Sequence, residues 1–214
     1  MKQQSDKWFE ARRGMITASN AWRILGKKET LETYAREIAG EIEGRKLKRG
    51  RLNAAAEAGK EWESKIVAQL QIEWAEEGSP MKSLEVNFAV HDQLFFVACS
   101  PDYCYQNPAD GKKYGLEIKC IFSDEKWRQV FRRPDSQHVI QAQFCQWVMN
   151  YDGWFVVYAK IDGPVEAGEE LPTRVEYHVN EPNDKLLTER CKLTWQRVTH
   201  YLTEVKKKAT GDVA

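Results

Sequence analysis

Apolar residues recur every three or four positions through the first third of the chain and every second position in its middle, so the sequence reads as helices followed by a sheet. Leu31, Tyr34, Ala35, Ile38 and Ile42 line one face of a helix over 31–43, and Ala55, Ala58, Trp62, Ile66, Leu70 and Trp74 line another from 53 to about 75. Ahead of these, Ser5 or Asp6 is placed to cap a short helix carrying Trp8, Phe9 and Arg12 that ends near Gly14. Ile16-Thr17-Ala18-Ser19 then leads into a further helix with Ala21, Trp22, Ile24 and Leu25.

From Ser83 the period falls to two. Leu84, Val86 and Phe88 alternate with polar residues, His91-Asp92-Gln93 supplies a turn, and 94–100 returns as a more buried strand. Asn107-Pro108-Ala109-Asp110-Gly111 is a turn, so the run ending at Asp102 and the strand over 114–121 are expected to be antiparallel neighbours. Ser123-Asp124 caps a helix through Phe131, and 136–150 forms the next, with Val139, Ala142, Phe144, Trp147 and Val148. Strands over 154–159 and 174–179 precede a long closing helix that begins after Pro182. This order predicts a single α/β domain with a mixed central sheet flanked by helices: a helical part at about 5–76, a sheet core at about 83–180 and a last helix at about 182–208.

Three charges interrupt the pattern. Asp102 closes one apolar run, and Glu117 and Lys119 sit inside another, Tyr114-Gly115-Leu116-Glu117-Ile118-Lys119-Cys120-Ile121. Alternation points Glu117 and Lys119 to one face and Leu116, Ile118 and Cys120 to the other. An unpaired buried charge costs several kcal/mol, so its presence in such a strand asks for a reason. With Asp102 from the neighbouring strand, the set offers two hard oxygen ligands beside a cation, which suits metal-assisted phosphodiester cleavage. Asp102 and Glu117 would bind Mg²⁺, with Mn²⁺ an alternative and two ions expected; the backbone carbonyl of Ile118 is a third oxygen. Lys119 would orient the attacking water or stabilise the charge that develops. Glu63 would add a carboxylate where the long helix crosses the sheet.

Composition narrows the picture. With 214 residues, 42% hydrophobic and 30% charged, the chain can bury a core and is neither disordered nor membrane-inserted in character. A cytoplasmic setting, in a bacterium or a phage-infected host cell, is expected from the absence of an apolar leader at Met1–Lys7 or of a spanning run. The five cysteines show no CxxC pairing, so neither a disulfide framework nor a zinc knuckle is indicated. Formal net charge is zero, so a nucleic-acid surface has to come from uneven placement of Lys and Arg. The densest placement is the loop containing Arg45, Lys46, Lys48, Arg49 and Arg51, the candidate for DNA-backbone contacts; Lys126, Arg128, Arg132 and Arg133 come next.

Five short segments, in order, carry a resemblance. Trp8-Phe9-Glu10-Ala11-Arg12-Arg13-Gly14-Met15-Ile16-Thr17-Ala18-Ser19, Gly59-Lys60-Glu61-Trp62-Glu63, Ala98-Cys99-Ser100-Pro101-Asp102, Leu116-Glu117-Ile118-Lys119-Cys120, and Gln141-Ala142-Gln143 with Trp147 resemble the motifs of the lambda-type, YqaJ-like viral recombinase and alkaline exonuclease family. The resemblance spans Trp8 to about Tyr158 and implies a restriction-endonuclease-like core that digests one strand of duplex DNA from its 5′ end. It implies Asp102, Glu117 and Glu63 as metal-site acids, Lys119 as the catalytic lysine, and Arg12, Ser19, Ser100 and Gln143 as the pocket for the terminal 5′-phosphate. It further implies a homotrimer and a single-strand annealing protein as partner. Arg12 suits a phosphate because its guanidinium is a planar fork of donors, and Ser19 near a helix start adds a hydroxyl. One departure stands out: Tyr103 follows Asp102 where the family has glycine, and a bulky residue there would crowd the site or stack on a base. The leading expectation is thus an exonuclease acting on double-stranded DNA ends in recombination. Its alternatives are a restriction-type or structure-specific endonuclease and a non-catalytic DNA-end-binding protein.

Overall fold

The computed structural model describes residues 5–45, 54–162 and 172–210. Each early helix has a local cause. Ser5 Oγ accepts the Trp8 N–H at 3.2 Å and starts α1 (Asp6–Ala11). A short strand, β1 (Ile16–Thr17), is followed by a 3₁₀ turn over Ala18–Asn20 that runs into α2 (Ala21–Leu25). In α3 (Lys28–Ile42) the expected stripe Leu31, Tyr34, Ala35 and Ile38 is buried, whereas Ile42 at the helix end is exposed. The long α4 (Ala54–Glu76) buries Trp62, Ile66 and Leu70 at four-residue spacing.

Sheet residues are divided differently from the expectation. The alternating run breaks into β2 (Lys82–Leu84) and β3 (Ala89–Val90), because the Val86 N–H turns back to the Leu84 carbonyl at 3.0 Å. The run from Leu94 yields only β4 (Val97–Cys99), and β4 is not the neighbour of the strand carrying Glu117. It lies in a small sheet of order β1-β4-β3, parallel to β1 and antiparallel to β3. Pro101 has no N–H to give to a ladder, and across Ser100–Asp102 the chain leaves one sheet for the other. A strand that sequence patterning missed, β5 (Tyr103–Gln106), takes the expected place as antiparallel neighbour of β6 (Lys113–Ile121).

Helix α5 (Asp124–Arg132) and helix α6 (Ser136–Met149) follow, then β7 (Gly153–Lys160), β8 (Arg174–His178) and α7 (Asp184–Thr210). The main sheet has the order β2-β5-β6-β7-β8, in which only the β6–β7 pair is parallel. Arg190 on α7 ties the N-terminal helices down, donating to the Ile24 and Gly26 carbonyls at 2.6 and 2.8 Å. Among the described residues no helix is long and apolar enough to cross a membrane.

Alternation on β6 divides the core. Leu116 and Ile118 pack with Trp62, Ile66 and Leu70 of α4, and Phe144 and Cys145 of α6 pack with Trp154, Val156 and Tyr158 in a second cluster. Each fully buried aliphatic side chain contributes about 1.5–3 kcal/mol. Several of them flank Glu117, which lets the strand tolerate one ionisable group inside it. Gly115 is required by the packing: a Cβ there would lie 2.4 Å from the ring of Trp154, its fully buried register partner. Gly115→Ala is therefore expected to destabilise the fold by about 1–3 kcal/mol, read from the midpoint of urea unfolding.

Candidate active site

The last pair of the β5–β6 ladder is Tyr103 with Leu116, so Asp102 comes next to Glu117 one step beyond it. Asp102 Oδ2 accepts the Ile118 N–H at 2.8 Å. A residue's N–H and C=O leave a strand on the same edge, so the Ile118 carbonyl points into the same gap, where β5 has no residue opposite it. Glu117 is only 1% exposed. Its Oε1 accepts from Lys119 Nζ and from Gln141 Nε2, the latter at 2.5 Å, while Oε2 is buried with no hydrogen-bond partner among the described residues. The three residues that interrupt the hydrophobic pattern are thus together, and α6 supplies a fourth contact, Gln141, to which no role was given from sequence. The signal available for it was an amide on a helix whose neighbours at 142 and 144–148 are buried.

Electrostatics at this spot are one-sided. Burial, reinforced by the nearby Asp102 charge, pushes the Glu117 carboxyl up to about 8, and burial also raises Asp102. Glu63 on α4 rises to about 7 through burial and then Asp102, against the pull of Lys119 and Lys60. For Lys119, burial opposes the charged form, but Glu117 and Asp102 outweigh it and hold the ammonium above the usual lysine range. Three carboxyl groups thus share the influence of one buried ammonium, and each resists ionising chiefly because it is buried, with like charge from its neighbours adding to this for Glu117 and Glu63. A hard divalent cation would supply positive charge and give Glu117 Oε2 a partner, so the donor set fits Mg²⁺ or Mn²⁺. Glu63 feels the Asp102 charge without completing a cage: among the described residues no group of three His, Cys, Asp or Glu side chains converges as a ready-made metal site. Mg²⁺ accepts such sparse ligation because it keeps several waters.

Tyr103 does not crowd this site. Paired with Leu116, it projects to the α4 face, opposite to Glu117; its hydroxyl accepts from Gln71 Nε2 at 2.8 Å and its ring stacks on Tyr105 at 6.2 Å.

A second cluster adjoins the first through Ser100. Arg12 donates from Nη1 to Ser100 Oγ and from Nη2 to Ser19 Oγ, both at 3.3 Å. Its guanidinium lies 4.0 Å over the Trp8 ring, and Trp8 Nε1 also donates to Ser100 Oγ at 3.1 Å. Trp8 is thus both core and site, a dual role that helical spacing alone does not reveal. Burial lowers the Arg12 pKa, so an anion would find it poorly hydrated, and among the described residues its guanidinium makes no ion pair, though it feels the pull of Glu41. Gln143 is not joined to this set: its amide donates to the Asn180 carbonyl at 3.1 Å. A cleft of about 630 Å³ is lined by Trp8, Arg12, Arg13, Arg23, Tyr34 and Glu41, and none of Asp102, Glu117 and Glu63 lines it. Arg45 at its rim is exposed and paired with Glu43 at 2.6 Å. Lys46, Lys48, Arg49 and Arg51 lie outside the described residues.

The fold is similar to that of an alkaline exonuclease from Laribacter hongkongensis, with TM-score 0.78 and 18% identity over 98% of this chain and 100% of that one. The same enzyme in complex with dAMP matches at TM-score 0.71 and 20% identity, again over 98% and 100%. A phage-related exonuclease from Haemophilus somnus 129PT matches at TM-score 0.58 and 16% identity over 91% and 96%. No curated protein matches the sequence. The model of the YqaJ-like viral recombinase domain matches residues 7–152, and the chain belongs to that family.

The burial of Glu117 has a measurable cost. In metal-free protein the fold keeps its proton up to about pH 8, whereas the unfolded chain releases it near the ordinary 4.5. Between these values the native state binds more protons, so stability is expected to fall as pH rises. Thermal unfolding in EDTA should show this decline in wild type and a flatter profile in Glu117→Gln. Above pH 8, Mg²⁺ should stabilise wild type, by about 2.7 kcal/mol at a hundredfold excess over its Kd, and leave Glu117→Gln nearly unmoved.

Proposed function

We propose that this protein is a Mg²⁺-dependent exonuclease that digests one strand of linear double-stranded DNA from a 5′-phosphorylated end, in phage-type recombination by single-strand annealing. The observation that carries the proposal is the shared segment Ser100-Pro101-Asp102. Its first residue belongs to the Arg12 cluster and its last to the carboxylate pair, and two residues of chain separate their Cα atoms by at most about 7 Å. An anion held by Arg12 would set a DNA end beside the carboxylates.

In this reading Arg12, fixed by its stack on Trp8, presents both guanidinium nitrogens to the terminal phosphate while Ser19 and Ser100 turn their hydroxyls toward it. Asp102, Glu117 and the Ile118 carbonyl would hold the divalent ion, which when bound supplies a more acidic water and neutralises charge on the phosphate. Gln141 and Lys119 keep Glu117 aimed into the gap, and Lys119 stays protonated to hold the attacking water or the developing oxyanion. Glu63, with its raised pKa, would exchange a proton with solvent at this site in this reading. A homotrimer and an annealing partner belong to the same reading and rest on family membership.

Linear 5′-phosphorylated duplex should be digested only with Mg²⁺ or Mn²⁺, and closed circular plasmid not at all; cutting of the circle would replace this reading by an endonuclease. Asp102→Asn and Glu117→Gln should each abolish digestion while retaining cooperative unfolding. For Arg12→Ala, the preference for a 5′-phosphate over a 5′-hydroxyl end should shrink roughly tenfold or more, since one charged partner is worth about 1.5–3 kcal/mol. The check is initial rates on the two ends.

A further inference from the structure

We infer that the C-terminal half of α5 is a docking surface for single-stranded DNA, the form of DNA left when one strand of a duplex is removed; the inference rests on the nuclease reading above. Phe131 is 56% exposed there, one of the most exposed large apolar residues described. This is display, not fraying. The Tyr177 hydroxyl of β8 lies 2.8 Å from the carbonyls of both Val130 and Phe131, and Val130 beside it is buried at 1% exposure, so the end of the helix is pinned to the sheet. Trp127 packs on the Phe131 ring, centroids 5.6 Å apart, and stiffens it further.

The C-terminal end of this helix carries an excess of positive charge. Arg128, Arg132 and Arg133 are exposed, and among the described residues neither Arg132 nor Arg133 has an ion-pair partner. Lys126 is engaged by Asp135 at 2.6 Å, and the Asp124 carboxylate by Lys160 at 3.0 Å. Glu125, the other acid of the helix, lies about two turns before Arg132. Arginines at a helix C-terminus also suit the dipole, but the dipole gives no reason to hold a phenyl ring in water. A rigid aromatic face flanked by guanidinium groups is what an unpaired base and its phosphates recognise, stacking on the first and pairing with the second. A protein ligand would have to place acids opposite these arginines, whereas a DNA strand brings one anion per nucleotide wherever it lies.

Position supports the assignment. Helix α5 leaves β6 five residues after Lys119, and the Lys126–Asp135 pair ties its first turn to the cap of α6, the helix whose Gln141 holds Glu117. From there it runs to Tyr177 on β8, about 13 Å at 1.5 Å per residue, enough for a few nucleotides leading away from the site. The surface also meets the requirement that a neutral chain concentrate its cations where DNA lies.

Fluorescence anisotropy with labelled oligo(dT), in EDTA so that nothing is cut, tests the surface on the full chain. Phe131→Ala should weaken binding roughly five- to a hundredfold, Phe131→Tyr should bind as wild type, and Phe131→Leu should behave like Ala because it keeps apolar area without a π-face. Replacing Arg132 and Arg133 by Gln should reduce the slope of log K against log salt by about 1.4. Thermal unfolding midpoints within the wild-type range show that each variant folds. Oligo(dT) affinity unchanged in Phe131→Ala and in the double arginine variant would overturn the inference, as would no oligo(dT) binding by wild type; retained DNA affinity with loss of a protein contact would assign the surface to a protein instead. Digestion of linear duplex without any effect of these variants on oligo(dT) sinks this surface alone, whereas a Phe131-dependent affinity in a protein that digests nothing sinks the nuclease reading alone.

Discussion

Glu117 is a carboxylate held at 1% exposure inside a strand whose alternate residues pack under α4, and the arrangement around it follows from what that requires. An ionised acid in such a place must be paired or lose its charge. Lys119 on the same face and Gln141 from α6 satisfy one oxygen; the other is left facing Asp102, a second acid. Two carboxylates with one ammonium do not balance, and Glu63 adds a third. Either protons or a cation must enter, and the raised pKa values say that protons do so when no cation is there. A divalent ion, in the function proposed, would remove this imbalance.

Continuity between the carboxylates and Arg12 depends on the chain changing sheets at Ser100-Pro101-Asp102. Had the 94–100 strand continued beside β6, Ser100 would have stood in the ladder and its hydroxyl would not have been free to meet both Arg12 and Trp8. Instead β4 belongs to the small sheet with β1, whose own continuation brings Ser19 to the other guanidinium nitrogen. The small sheet is thus the frame of the anion cluster and the large sheet the frame of the carboxylates. A proline between them is the joint.

In the function proposed, a chain with no net charge meets a polyanion through the uneven placement of its charges. Several acids are engaged locally: Glu37 by Arg23, Glu73 by Arg174, Asp135 by Lys126, Asp124 by Lys160. At Arg12 a guanidinium lies over the ring of Trp8, and at the end of α5 the exposed arginines Arg132 and Arg133 follow the exposed ring of Phe131 in sequence. Screening by salt weakens scattered surface charge within about 8–10 Å, so these local concentrations matter more than the total.

Much of this was legible in the chain itself. The helices stand within a few residues of their periodicity, since burial of one face selects a 3.6-residue repeat, and the mixed sheet flanked by helices follows from element order. Asp102, Glu117 and Lys119 announced themselves as charges where apolar residues belong, and the family is shown by residues 7–152. What tertiary structure alone decided concerns partners distant in sequence. It set β5, not the 94–100 run, beside β6; it turned Tyr103 away from the carboxylates; it gave Glu117 a partner in Gln141 and sent Gln143 to Asn180. Periodicity reports which face of an element is buried, because burial acts residue by residue. It cannot report which neighbour covers that face, because hydrogen bonds and charge pairs form between elements, and their choice depends on where every other element has packed.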